Sequence, residues 1–285
     1  MTVLDGAVSV LENGLSTEVV DEDFNPETGI LRFSIAEGLS AGSAYQVRIA
    51  AGVGGPLRQS DYVFEFSTAV PVLESSLPVD QTASVGVDFE EMTLQFSAPV
   101  DADQLNESSF SLSAFGETIA LRSGDPVSRG DNAYGIAPAG GWRVGTRYEL
   151  QVAPSVSGPL GSGQVQTLSF STVVPVLEGS APESGTASVG VDFEEMTLQF
   201  SAPVDADQLN ESSFSLSAFG ETIALRSGDP VSRGDNAYGI APAGGWRVGT
   251  RYELQVAPSV SGPLGSGQGQ TLSFSTVVPL SLIHI

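Results

Sequence analysis

Two long stretches of this chain are the same text. Thr82–Pro175 and Thr186–Pro279 match position for position at an offset of 104 residues (82 to 186), and the single difference is Val165 against Gly269. Whatever one copy folds into, the other must fold into as well, so the repeat constrains the fold before any local reading begins. Ahead of the repeat, "VPVLESSLPVDQ" and "VPVLEGSAPESG" align more loosely, which starts the modules near Val70 and Val174. A third, diverged copy opens the chain. "LSAGSAYQVRIAAGVGGPL" (Leu39–Leu57) aligns with "WRVGTRYELQVAPSVSGPL" (Trp142–Leu160), and "YVFEFSTAVPVLE" with "QTLSFSTVVPVLE". This copy has no counterpart of "EEMTLQFSAPVDADQL", so its first strands are expected to be missing and its core and sheet edge exposed.

The resulting division is 1–69, a partial module; 70–173, a complete module; 174–279, its near-identical copy; and 280–285. The last segment, "LSLIHI", departs abruptly from the repeat. It reads as the translation of a transposase end used in preparing sequencing libraries, and is set aside from the fold together with His284, the only histidine.

Composition narrows the class. Hydrophobic residues make up 41% of the 285, enough for packed cores, and 33 glycines with 17 prolines suit a turn-rich all-β chain. Net charge is −23, and all 11 basic residues are arginine. Such a surface repels the phosphates of nucleic acid and of anionic membranes. It reads as a solvated acidic coat; salt adaptation and divalent-cation binding are the sharper alternatives. With no cysteine there is no disulfide, thiol nucleophile or thiolate metal site. No run reaches the length of a membrane span, and "MTVLDGAVSVLENG" lacks the basic start and apolar centre of an export signal.

Within a module the hydrophobic period is two. Met92, Leu94 and Phe96 alternate with Thr93, Gln95 and Ser97, giving a strand with one buried face. The alternation recurs at Phe110/Leu112, Ile119/Leu121, Tyr134/Ile136, Tyr148/Leu150/Val152 and Leu168/Phe170. With an edge strand at Val72–Glu74, about seven short strands per module point to tandem immunoglobulin-like β-sandwiches.

"DADQLNESSF" is the exception, a single helical turn that Asp101 is expected to cap while Gln104 reaches back as in a capping box. Its acidic residues suggest Ca²⁺, but Asp101-x-Asp103 continues with Leu105 and not a third oxygen ligand, which breaks an EF-hand pattern. No cofactor is expected. Tyr148, after "WRVGT", stands where such sandwiches place a tyrosine whose hydroxyl bonds back to the preceding corner; Tyr252 and Tyr45 hold the same place. Trp142 and Trp246 precede that corner. Both packing and stacking on a sugar fit them, and Leu39 in the first copy favours packing.

These segments resemble the bacterial Ig-like domain found in S-layer and other surface proteins. The shared features are the "F-S-x-P-V-D" turn at Phe96–Asp101, the "G-T-x-Y" corner within Trp142–Tyr148 and the closing "F-x-T" at Phe170–Thr172. The chain departs in one loop. Members often carry an acidic residue and "G-N" after the tyrosine strand, whereas "SVSGPLGSG" (Ser155–Gly163) stands here. The resemblance implies a spacer or adhesion repeat of an exported protein, without catalysis.

The residues agree in showing little chemistry. Serine has no histidine to activate it once the tail is set aside. Asp88, Glu90 and Glu91 form an acidic cluster, but neighbours on a strand point to opposite faces, so a solvated strand start is favoured over a carboxylate pair. No phosphate-cradling glycine motif is present. "RGD" at Arg129, Gly130 and Asp131, repeated at Arg233–Asp235, is a weak integrin-type motif that the duplication copies. "NES" at Asn106 and Asn210 is a glycosylation sequon. The "VVPV" joint is short and proline-containing, so modules should form a semi-rigid string. Expected partners are neighbouring modules, cell-wall or surface polysaccharide and other surface proteins. The rival readings are accessory modules of a secreted hydrolase and a carbohydrate-binding module using Trp142 and Tyr134.

Overall fold

The fold is a computed structural model that describes residues 6–53, 59–265 and 269–278. Leu280–Ile285 and the "GPL" of the first copy lie outside them.

In the first unit β1 (Val8–Glu12), β2 (Leu15–Thr17), β5 (Ala44–Ile49) and β6 (Tyr62–Ser67) form one sheet in the order β2-β1-β5-β6, and β3 (Val19–Asn25) and β4 (Ile30–Ile35) pair as a two-stranded sheet. The second unit is a two-sheet sandwich. One sheet has the order β12-β13-β9-β7, from β7 (Leu73–Leu77), β9 (Met92–Phe96), β12 (Val127–Gly130) and β13 (Ala133–Ile136). The other is β11-β10-β14-β15-β8, from β8 (Thr82–Val85), β10 (Phe110–Ala114), β11 (Glu117–Thr118), β14 (Arg147–Val152) and β15 (Gln166–Thr172). The third unit repeats it with β16 (Leu177–Ala181), β17 (Met196–Phe200), β18 (Phe214–Ala218) and β19 (Glu221–Ile223), then β20 (Val231–Gly234), β21 (Ala237–Ile240), β22 (Arg251–Val256) and β23 (Gln270–Ser275). Its sheets are β16-β17-β21-β20 and β19-β18-β22-β23.

The alternation in the sequence becomes the core. Met92, Leu94 and Phe96 are buried between half-buried Thr93 and Gln95, and they meet Phe110, Leu112, Tyr148 and Leu150 from the opposite sheet. Each such buried side chain contributes about 1.5–3 kcal/mol. The strand count exceeds the seven expected. β8 and β12 are almost wholly exposed and polar, so they carry no period-two signal. Around Ile119 the strand is shorter than the alternation suggested, and Leu121 makes only an isolated bridge to Pro138.

Among its described residues the first unit has no counterparts of β7, β8 and β9. Its buried cluster is Val8, Val10, Tyr45 and Val47, and β6 leaves Tyr62, Val63, Phe64 and Phe66 exposed. Among the described residues nothing closes over sheet and hairpin on that side.

The expected cap is corrected. Ala102–Gln104 is a single 3₁₀ turn, but Asp101 makes no side-chain bond to it. Asn106 organises the loop instead: its Nδ2 donates to the Asp103 carbonyl (2.6 Å) and its Oδ1 accepts the Ser108 N–H (2.9 Å). Gln104 does not reach back; its Oε1 accepts the Ser109 hydroxyl (3.2 Å). Asp101 is drawn away by the neighbouring unit.

Candidate functional site

In each unit the corner before the tyrosine strand is pinned by main-chain and hydroxyl bonds. The Tyr148 hydroxyl accepts the Arg143 N–H (2.8 Å), as Tyr252 does from Arg247 and Tyr45 from Ser40, both at 2.8 Å. Thr172 Oγ1 accepts the Thr146 N–H (2.9 Å) and donates to the Arg143 carbonyl (2.6 Å). Burial pushes the Tyr148 phenol above its ordinary value, even though the bond from Arg143 pulls it down.

Trp142 closes the corner from inside. It stacks on Phe89 (ring centroids 4.8 Å apart, interplanar angle 25°) and meets Tyr148 edge-on at 4.9 Å. Trp142 and Tyr134 are both buried, and the Tyr134 hydroxyl is taken up by the Val100 N–H (2.9 Å). Neither ring offers a face on which a sugar could stack.

The acidic cluster beside β9 is also corrected. Glu91 is not a solvated strand start: its side chain is 14% exposed. Its Oε1 accepts from Arg129 Nε (2.6 Å) and its Oε2 from Arg122 (2.8 Å), with a second contact to Arg129. The bond from Arg129 and the attraction of both guanidinium groups hold the Glu91 carboxyl below its usual range against the opposing effect of burial. Arg122 also faces buried Asp125, whose Oδ2 accepts the Ala137 N–H (2.7 Å). Within the "RGD", Arg129 is bound to Glu91 and its side chain is 46% exposed. Gly130 ends β12, and Asp131 and Asn132 form the tight β12–β13 turn, where the Asp131 carbonyl accepts from Gln95 (2.7 Å). The sequence signal for this cluster was Gly135, a glycine inside a strand. A Cβ there would lie 2.3 Å from Glu91 Oε1.

The pinned corner has a second role, at the boundary between units. Ala41, in the first corner, donates its N–H to both carboxylate oxygens of Asp101 (2.9 and 3.0 Å). One junction later Val144 N–H meets Asp205 Oδ1 (3.3 Å) and Arg143 pairs with Asp207. The main chains touch directly. A Cβ on Gly42 would lie 2.2 Å from the Ser157 carbonyl, and one on Gly145 would lie 2.2 Å from the Ser261 carbonyl. Both glycines have positive φ (+57° and +55°), which glycine adopts at no steric cost. Reciprocally, a Cβ on Gly158 would strike the Ala41 carbonyl and one on Gly262 the Val144 carbonyl. Leu160 N–H donates to the Gly42 carbonyl and Leu264 N–H to that of Gly145, both at 2.7 Å. Ser157 and Ser261 hydroxyls donate to the Pro71 and Pro175 carbonyls, both at 2.8 Å.

The two junctions therefore share one plan, an interlock of backbone on backbone. Beside the second lies a cleft of about 410 Å³ lined by Arg143, Asp205, Gln208 and Pro258. Burial there pushes the Asp205 carboxyl above its ordinary value, although the Val144 N–H and Arg143 pull it down. Sequence reading found the corner glycines only as part of a motif, and the interlock went unseen because its partner residues lie about a hundred positions downstream.

Among the described residues no group of three or more His, Asp or Glu is placed to hold a metal ion, and no helix is long and apolar enough to cross a membrane. A family model described as a bacterial Ig-like domain matches residues 67–172 and 171–276. No curated protein matches the chain in sequence. Among solved structures the chain is similar to a chimeric titin Z1Z2 carrying an exogenous peptide from decorin (13% identity, 75% of this chain and 99% of that one, TM-score 0.30). It is also similar to the N-terminal part of the bacterial S-layer protein SbsC (14%, 72% and 44%, TM-score 0.28). A third is an L,D-transpeptidase from Mycobacterium smegmatis (13%, 71% and 72%, TM-score 0.25). Scores this low carry no argument about function.

Proposed function

The chain belongs to the bacterial Ig-like domain family, and on that premise we propose that it is a non-catalytic spacer or adhesion repeat of an exported, cell-surface protein. Domains of this family are of a non-catalytic type and occur in bacterial surface proteins. The observation that carries the reading is the interlock used twice: Gly42 against Gly158, then Gly145 against Gly262. A joint built from main-chain atoms fixes the angle between units and repeats it, which is what a projecting stalk requires. It also tolerates change of side chains, since Ser40-Ala41-Gly42 in the first unit does the work of Arg143-Val144-Gly145 in the second. Partners of such a stalk would be surface polysaccharide or other surface proteins, met on loops away from the joints.

Small-angle scattering of the full chain tests this. One fixed arrangement of the three units should reproduce the whole profile. A profile that requires a broad ensemble of inter-unit angles would contradict the stalk.

A further inference from the structure

The third module ends in a surface that the two junctions explain. We propose that Arg247–Gly249 forms a docking socket for a further copy of the same module. This stands on the junction geometry and goes beyond the stalk reading, because it holds whatever the repeats carry.

The socket is already shaped. Gly249 N–H donates to the Val277 carbonyl at 2.7 Å, as Gly145 N–H does to that of Val173 in the occupied junction. Gly249 keeps the left-handed backbone, φ +61° against +55° at Gly145. The Tyr252 and Thr276 bonds that pin the corner are unchanged. A surface that holds its bound form without its partner loses little freedom on docking.

What differs is cover. Val144 is 1% exposed and Val248 is 48% exposed, with Val278 at 74% beside it. Among the described residues a Cβ on Gly249 would meet nothing nearer than Val278 Cγ2 at 3.9 Å, where its twin on Gly145 would collide with the Ser261 carbonyl. An exposed apolar valine and an open glycine therefore occupy the place where the second module receives the third.

The occupant follows from continuity with the two filled junctions. In both, the plug is one set of module parts: the aspartate after the "SAPV" turn (Asp101 or Asp205), the serine–glycine pair (Ser157-Gly158 or Ser261-Gly262) and the leucine that follows (Leu160 or Leu264). Arg247 stands where Arg143 pairs with Asp207, so the charge pattern suits the same plug. In this chain the plugs of the second and third modules are engaged upstream, and the described residues of the first unit contain no counterpart of Asp101. The socket thus fits a further module in tandem and not a second copy of this chain.

The chain has no cysteine, so one introduced thiol reports one site. Val248→Cys in the full chain should react with a maleimide quickly, and Val144→Cys slowly. The decisive protein carries Val248→Cys with residues 174–277 inserted once more after Val277, the inserted copy keeping Val248. Its thiol at the original position should react at least about tenfold more slowly than in the unextended chain, equivalent to about 1.4 kcal/mol of docking. Gly262→Val placed only in the inserted copy should restore the fast rate. Fast reaction in the extended protein would overturn the proposal. So would slow reaction in the unextended chain, which would mean that something other than a further module covers the socket.

Discussion

The second and third modules are a natural control, one sequence in two surroundings. Their interiors coincide: the Phe96–Phe110 and Phe200–Phe214 ring pairs share a centroid distance of 6.4 Å and an angle of 86°. Their ends do not. Val144 is covered and Val248 open, and Trp142 is buried where Trp246 is half-buried. Because the residues are the same, these differences come from the neighbour alone. Where the sequence does change, just ahead of the repeat, a strand changes with it. Asp80 accepts the Ser169 N–H (2.7 Å) beside β8, whereas Ser184 takes the Ser273 N–H at 3.2 Å and the strand shrinks to a Val189–Thr276 bridge. Core and corner are thus set within a module, and exposure at its ends is set by the next one.

The comparison breaks first where the two modules are alike. Phe96→Ala and Phe200→Ala, both 2% exposed, should each cost about 3–5 kcal/mol, the range for emptying a large aromatic site. Chemical denaturation should show equal losses assigned to different modules. Unequal losses would mean that the neighbour reaches the core.

A substitution at the paired glycines should separate the modules. Gly249→Ala places an alanine in a left-handed backbone at a cost of about 1–2 kcal/mol. Gly145→Ala carries the same cost and also drives a Cβ into the Ser261 carbonyl, displacing the Leu264 bond. Denaturant unfolding should find it less stable by about a further 1–2 kcal/mol, for one or two main-chain hydrogen bonds. Equal effects at the two positions would deny the junction any energy.

Smaller still is Tyr148→Phe against Tyr252→Phe. Each removes one hydroxyl acceptor at the corner and should cost about 1 kcal/mol, measured as a shift in denaturation midpoint. The loss in the second module should also loosen its junction, since the freed Arg143 N–H lies next to Val144.

Acid acts on core and junction with opposite sign. Glu91 is held below its ordinary 4.5, so its stabilisation is complete above that value and is lost as pH falls through the lower folded value. Glu195 repeats this in the third module. Asp205 is held above its ordinary 3.8, so the folded junction takes up a proton first. The penalty for its charge is fully present above the folded value and is relieved as pH falls through it. Lowering the pH should therefore relieve the penalty at Asp205 before it costs the modules the bonds of Glu91 and Glu195. Glu91→Gln and Glu195→Gln together should flatten the acid limb of the melting curve. An unchanged limb would refute the role given to these carboxylates.

The fold was legible in the sequence because burial on one face of a strand forces a period of two, and Met92–Phe96 or Tyr148–Val152 show it openly. The exposed strands β8 and β12 were not legible, since nothing in "TASV" or "VSRG" must alternate. The tyrosine was readable from its place after the "G-T" corner. Asp101 misled because its local pattern matches a helix cap, yet its partner is Ala41, sixty residues earlier in the neighbouring unit. The Glu91 cluster and the interlock rest on contacts of that kind, across strands or across modules, which spacing along the chain does not encode.

The central claim, that backbone contact locks one module to the next, is tested most directly by a distance. Spin labels at Glu117→Cys and Glu221→Cys, exposed positions on equivalent strands of the second and third modules, would report the angle between them through pulsed dipolar spectroscopy. The interlock predicts a single narrow distance distribution that broadens on Gly145→Val. A distribution already broad with Gly145 in place would contradict it.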